Sequence, residues 1–110
     1  MPTPRELELR KQINARLDAA YRRMRSFPAI EGGGVAPETL DDCATRIYEL
    51  CGHLNQAELA LRELQTLEGL STESAWAGGG VDAIIKNLRD GAALLAAQVD
   101  VERFDQQLSS

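Results

Sequence analysis

A histidine and two cysteines are the residues of this sequence whose types best suit nucleophilic chemistry: His53, Cys43 and Cys51. A catalytic histidine needs a nucleophile and an orienting partner close to it in space. Cys51 is two residues from His53 and therefore faces another side of the same helix. The two cysteines are eight residues apart, about 12 Å along a helix, which is too far for a disulfide between them. We predict ordinary structural roles for all three residues.

Pairs of acidic residues offer a second kind of chemistry, either acid–base catalysis or the binding of a hard cation. Asp41 with Asp42, and Asp100 with Glu102, are such pairs. Each pair belongs to one helical segment, whereas carboxylate sites need side chains that converge from several elements. The sequence has no Glu-x-x-His motif of di-iron bundles and no Cys/His spacing typical of zinc. We predict no catalytic residue, no metal and no cofactor.

The run Gly78-Gly79-Gly80 precedes a helix start, where backbone N–H groups can hold an anion. A phosphate-binding loop would continue as Gly-Lys-Ser/Thr, whereas here Asp82 brings negative charge to the position of the phosphate. The run is more typical of a hinge. The alternative function that it leaves open is an oligomeric protein that sequesters a small anionic ligand such as a nucleotide.

Charge is unevenly distributed along the chain. Residues 1–28 carry seven Lys/Arg against three Asp/Glu, whereas the remainder carries five against fourteen. A basic first segment can pack on the acidic remainder, pair with a second copy or contact an acidic partner. Nucleic acid is not predicted as a partner, because the sequence pI is about 4.8 and the acidic remainder would repel phosphate.

Six residues are the candidates for contact with a partner protein. Trp76 stands out because it lies in a connector rich in Ser and Gly, with little local core to fill. It either plugs the end of a helical bundle or anchors a partner, since Trp is over-represented at binding hot spots. The full set joins Trp76 to the first basic segment: Trp76, Tyr21, Arg16, Arg22, Arg23 and Arg25.

Three long amphipathic helices would position these residues. The first, at about 4–26, starts with the capping box Thr3-Pro4-Arg5-Glu6. The second, at about 37–68, has the strongest pattern, with apolar residues at alternating spacings of three and four. That seam comprises Leu40, Cys43, Ile47, Leu50, Leu54, Ala57, Leu61 and Leu64, and we expect Leu59 and Leu67 to widen it. Gly69 is expected to end this helix in the left-handed conformation.

The third helix, at about 81–107, changes its pattern along its length. An apolar stripe runs from Val81 to Val99, and the apolar positions then shift to Val101, Phe104 and Leu108. We expect these last turns to contact something different or to fray. A glycine-rich linker at 28–36 and a connector at 69–80 separate the three helices.

These patterns predict one all-α domain over residues 1–110, folded as a long antiparallel helical hairpin or three-helix bundle. Apolar surface left over by three helices is most simply covered by dimerisation. No apolar run reaches the roughly 18 residues that span a bilayer, and no signal-peptide core follows the N-terminus. We therefore expect a cytoplasmic protein that does not bind membranes.

The function predicted from the sequence is that of a small protein, not an enzyme, that binds a partner protein and inhibits or stabilises it. Anti-activators, immunity proteins, inhibitors and chaperones are of this type, and the analogy rests on fold class alone. Ten arginines against two lysines indicate a GC-rich genome, which fits a bacterial or phage origin.

Overall fold

A computed structural model of the chain describes residues 3–27, 36–69 and 80–109. Three α-helices account for nearly all of these residues: α1 (Pro4–Arg25), α2 (Pro37–Glu68) and α3 (Gly80–Ser109). Within the described ranges there is no β-strand. The predicted all-α fold is confirmed, and each helix bound lies within two residues of the predicted one.

The N-terminus of α1 has the Thr3 half of the predicted capping box, whereas Glu6 Oε2 is buried without a hydrogen-bond partner. The Thr3 hydroxyl oxygen accepts the backbone N–H of Glu6 at 3.2 Å, and Pro4 occupies the first helical position. The helix ends at Arg25, where the Ser26 N–H still bonds to the Arg22 carbonyl at 3.0 Å. Three arginines in the last turn favour this end because they face the negative pole of the helix dipole.

The C-terminus of α2 differs from the prediction. Gly69 has φ −63° and ψ −18°, which is right-handed helical backbone, so the expected left-handed conformation is wrong. Its N–H bonds to the Gln65 carbonyl at 2.9 Å, the ordinary i to i−4 helical bond. The chain therefore keeps a helical path through Gly69 and does not reverse there.

The helices pack side by side, and α2 is antiparallel to both α1 and α3. The core is a row of three clusters along a rod whose principal extents are 61 × 17 × 16 Å. The first cluster joins the start of α1 and of α3 to the end of α2 through Leu9, Ile13, Ala57, Leu61, Leu64, Val81 and Ile85. The middle cluster consists of Ala20, Leu50, Leu54, Leu88 and Ala92. The third joins Leu40 and Cys43 to Val99.

The predicted seam of α2 supplies this core. Seven of its eight residues are buried, and Ile47 is half-buried against the third cluster. Leu67 packs on the first cluster, as expected, whereas Leu59 is 59% exposed, so its predicted place on the packed face is wrong. Because a helix turns about 100° per residue, Leu59 lies about 160° around α2 from both Ala57 and Leu61.

The three helices differ in length, and this shapes one end of the rod. α1 has 22 residues against 32 in α2 and 30 in α3. Phe27 packs on the third cluster just beyond the end of α1. There α2 and α3 are also joined by the Arg103 Nη2 to Asp41 Oδ1 ion pair at 2.8 Å. The last turns of α3 thus lie alongside α2, past the end of α1.

Among the described residues, no helix combines the length and apolar character that crossing a bilayer requires.

Candidate interaction surfaces

The basic residues of α1 include a row that contacts α2. Arg5 Nη2 lies 2.6 Å from Glu63 Oε2, and Arg23 Nη2 lies 2.8 Å from Glu49 Oε2. Between them, Arg16 Nη1 lies 3.2 Å from His53 Nδ1. Of the alternatives left open by the charge asymmetry, packing of the basic segment on the acidic remainder is therefore observed for this row. Arg16 and Arg23, two of the residues predicted to contact a partner, make contacts within the chain.

A second row of α1 is exposed to solvent, and we call it the basic face: Lys11, Tyr21, Arg22 and Arg25. Lys11 and both arginines are exposed. The Arg22 side chain is 79% exposed, and its Nη2 lies 3.1 Å from Asp18 Oδ2, an ion pair within α1. The Arg25 guanidinium carbon lies 5.6 Å from the Tyr21 ring centroid, a cation–π contact that holds two exposed side chains together. Asp18 is the acidic residue of the same side. Sequence reasoning missed Lys11. The period of 3.6 residues per turn places Lys11 on the same face of the helix as Arg22 and Arg25.

The groove between α1 and α2 is lined by Arg16, Arg23, Glu49, Gly52, His53 and Gln56. Two of these six residues are cationic, but the Glu49 carboxylate already pairs with Arg23 there. In the contact with Arg16, the guanidinium donates and His53 Nδ1 accepts, because a guanidinium has no acceptor. An anion that enters this groove therefore has to compete with a carboxylate of the protein.

The two cysteines have different surroundings, and both are free thiols. Cys43 is buried in the third cluster, and burial raises the pKa of its thiol above the ordinary value. Asp42 raises this pKa further, while Arg46 lowers it. Cys51 is half-buried against the middle cluster. A buried thiol with a raised pKa is a poor nucleophile, because the thiolate is the reactive form.

The two carboxylates of the first acidic pair each lie against an arginine. Asp41 pairs with Arg103, and Asp42 Oδ2 lies 2.8 Å from Arg46 Nε. Within residues 3–27, 36–69 and 80–109, no group of three His, Cys, Asp or Glu side chains is arranged to hold a metal ion.

The C-terminal half of α3 carries an exposed apolar face that we call the outer strip: Leu94, Ala97, Val101, Phe104 and Leu108. Its four large side chains are between 58% and 71% exposed. Sequence reasoning noticed the shift to Val101, Phe104 and Leu108 but missed Leu94 and Ala97. The signal that could have found them is the spacing of three, four, three and four over all five positions.

The outer strip lies on the side of α3 opposite the core. Val101 follows the buried Val99 by two residues, which places it about 160° around the helix. α3 is helical through Ser109, so the last turns that the sequence pattern set apart belong to the same helix. The second half of this helix therefore has two apolar faces, of which α2 covers one.

Several predicted features lie outside the described residues: Trp76, the glycines Gly78 and Gly79, the linker apart from residue 36, and the connector apart from Gly69 and Gly80. Gly80 is the first residue of α3, and Asp82 is exposed in its first turn.

No family model matches this sequence, and neither the curated proteins nor the solved structures contain a significant match to it.

Proposed function

We propose that this chain is a small non-catalytic helical protein that binds an acidic surface of a partner protein and thereby inhibits or stabilises that partner. The contact surface is the basic face of α1. One observation carries the proposal: the cations of α1 are segregated. Arg5, Arg16 and Arg23 contact α2, whereas Lys11, Arg22 and Arg25 are exposed, with Arg22 paired to Asp18 within α1.

The composition of the basic face is that of a binding surface. Arg and Tyr are enriched at protein interfaces and among hot-spot residues. The Arg25–Tyr21 stack restricts two side chains before any partner arrives, which lowers the entropy lost on binding. Three cations and one carboxylate, that of Asp18, lie on this side of a chain with net charge −5. The excess of positive charge there gives the chain a dipolar field that attracts an acidic partner and orients it.

The side chains that could do chemistry support a non-catalytic role. His53 contacts an arginine, and Cys43 is buried with a raised thiol pKa. Arg103 and Arg46 neutralise the carboxylates of Asp41 and Asp42.

We further propose that the protein works as a homodimer in the cytoplasm. Free Cys43 and Cys51 thiols are in keeping with a reducing compartment. A homodimer would present two basic faces to a partner, which strengthens binding when both engage at once. Trp76 remains a predicted additional anchor.

The alternative function, sequestration of a small anionic ligand, has weaker support. The arginines that would bind the anion in the α1–α2 groove are Arg16 and Arg23, and Glu49 of the same groove already pairs with Arg23. Stabilisation by a panel of nucleotides and phosphorylated metabolites, measured as a shift in melting temperature, would restore this alternative.

The proposal is tested by affinity capture from the source cell with three versions of the full chain. Wild type is compared with Arg22→Glu/Arg25→Glu, which reverses two charges on the basic face. The matched control is Arg62→Glu/Lys86→Glu, which makes the same change in net charge at exposed positions of α2 and α3.

We expect wild type and control to retain the same acidic protein and the basic-face variant to lose it. Binding should also weaken as salt rises, because exposed charges are screened. Equal capture by all three chains, or capture that is insensitive to salt, contradicts the proposed surface.

A further inference from the structure

The outer strip of α3 is apolar although it takes no part in the core. Leu94, Val101 and Leu108 are 69%, 58% and 71% exposed, and Phe104 is 60% exposed. The strip faces away from α2, so the packing of the three described helices does not cover it. Toward the N-terminus it ends at the exposed Asp90, the next position on the same side of the helix.

We propose that the outer strip is the self-association surface of this protein, at which two copies of α3 pack antiparallel with Val101 of each copy opposite Phe104 of the other. This inference rests on the proposed homodimer, but it is independent of the proposed acidic partner. The two proposals use different helices and can fail separately.

The sizes of the strip residues fit this register. The strip has the three-four spacing of a coiled-coil seam, and antiparallel helices bring the two kinds of seam position together. Val101 then meets the second copy's Phe104, and Ala97 meets the second copy's Leu108. A smaller side chain thus faces a larger one in every layer, which is the arrangement that fills space between helices. Leu94 lies one turn beyond Ala97 and borders the same Leu108.

The polar residues beside the strip select the antiparallel arrangement. Asp100 and Gln107 flank one side of it, and Gln98 and Asp105 flank the other, all of them exposed. In a parallel pair, Asp100 would face the second copy's Asp105, so that like charges meet. In the proposed register, Asp100 faces Gln107 and Asp105 faces Gln98, and each amide can donate to a carboxylate.

The same residues set the register along the helix. A shift of one heptad, which would centre the contact between Ala97 and Val101, brings Asp100 of one copy against Asp100 of the other. It also places Asp90 over the second copy's Leu108. The proposed register avoids both contacts.

The area is sufficient for a reversible dimer. The four large side chains expose on the order of 500 Å² per chain, so two copies would bury about 1,000 Å², the lower end of specific interfaces. We expect an affinity in the micromolar range. A basic amphipathic helix of another protein is the competing occupant, because the strip is flanked by acidic residues.

Sedimentation velocity of the full chain over a dilution series tests the surface. Wild type is compared with Val101→Glu/Phe104→Glu in the strip. The matched control is Tyr48→Glu/Leu59→Glu, which places the same two charges at positions of α2 that are 82% and 59% exposed. Circular dichroism and thermal unfolding establish that each variant retains the helical fold.

We expect a concentration-dependent dimer for wild type and control, and a dimer dissociation constant at least about a hundredfold higher for the strip variant. A strip variant that still dimerises like wild type overturns the proposal. A wild-type chain that is monomeric throughout also overturns it and leaves the strip to another chain, such as a basic helix.

A second double variant tests the register. Gln98→Lys/Gln107→Lys would place a lysine beside Asp105 and Asp100 of the second copy, which gives four new charge pairs per dimer. We expect the dimer to tighten about tenfold. Gln12→Lys/Gln56→Lys changes the net charge equally and lies away from the strip, so it corrects for the weaker repulsion between two acidic chains. Equal effects of the two variants overturn the antiparallel register.

The acidic-partner proposal is left untouched by these variants, since Arg22 and Arg25 are unchanged in all of them. Loss of the dimer with retained partner capture would overturn the role of dimerisation in binding, while supporting the strip as the self-association surface.

Discussion

Two glycines within helices allow the packing of α1 against α3 to be measured as a free energy. Gly52 lies midway along α2 on its exposed side, and a Cβ added there meets nothing within 4 Å. Gly91 lies in α3, and a Cβ added there comes 2.8 Å from Met24 Cε and 3.3 Å from Met24 Sδ. Alanine loses less backbone entropy than glycine when a helix forms, so replacing glycine by alanine at an exposed site raises the free energy of unfolding by about 0.5–1 kcal/mol. Gly52→Ala should raise the free energy of unfolding by that amount.

Gly91→Ala should gain less, because the end of the Met24 side chain has to move out of its place against the middle cluster. The cost of moving the Met24 side chain disappears when that side chain is shortened. In a Met24→Ala background, we therefore expect Gly91→Ala to recover the full gain of about 0.5–1 kcal/mol. The difference between the two backgrounds measures the close approach of the helices.

The assay is urea unfolding followed by circular dichroism, with all chains at one concentration because a dimer would stabilise the folded state by mass action. An equal gain from Gly91→Ala in both backgrounds refutes the close approach of Met24 to α3. A loss of stability in Gly52→Ala refutes the placement of Gly52 on an exposed helical face.

Three further substitutions or reactions test the core, the cap and the buried thiol. Leu54→Ala should lower the free energy of unfolding by about 2–5 kcal/mol, since Leu54 is fully buried, whereas Leu59→Ala should change it by less than about 0.5 kcal/mol in the same denaturation assay. Thr3→Ala removes the cap of α1 and should destabilise the chain by about 1 kcal/mol, with Thr3→Ser as the control that retains the hydroxyl. Cys43 should react more slowly than Cys51 with a thiol reagent in the folded chain, and equal rates would contradict its burial. Because the pKa of Cys43 is raised by folding, its contribution to stability is complete below the ordinary thiol pKa of 9.0 and should decline as pH rises above it.

The structure divides the basic residues of α1 into a row that contacts α2 and a row that is exposed. The pairs that Arg5 and Arg23 make with α2 are half-exposed, so each contributes little to stability, in the range of about 0–1 kcal/mol. The orientation of α1 is set by the burial of Leu9, Ile13 and Ala20. That orientation places one row of cations beside Glu63 and Glu49 and leaves the other row, with Arg22 and Arg25, exposed.

The helices and most of the core were predictable from the sequence because both depend on local information. The cap at Thr3 and the proline at position 37 mark where helices begin, and the periodic apolar seam of α2 marks the side that packs. The failures at this level are also local. Leu59 was assigned to the packed face on hydrophobicity although its position is opposite, and Gly69 ends α2 without the positive φ that glycine permits.

The two candidate surfaces could not be predicted in the same way. α3 carries two apolar repeats, one through Val99 and one through Val101, and periodicity alone does not say which of them will meet another helix. That choice depends on where α2 lies beside α3. In the same way, seven basic residues precede the first linker, but the position of α2 decides which of them meet a carboxylate and which face solvent.

The sequence by itself determined that the described ranges form three helices and where those helices begin and end. It also determined that the titratable residues lack the spacing of a known catalytic or metal motif. These properties follow from backbone propensity, capping and residue order, which act over a few residues. Only the tertiary structure decided which apolar and basic faces contact another helix and which are exposed to solvent. That outcome depends on contacts between residues far apart in sequence, such as Arg23 with Glu49 and Leu40 with Val99, and no local pattern specifies them.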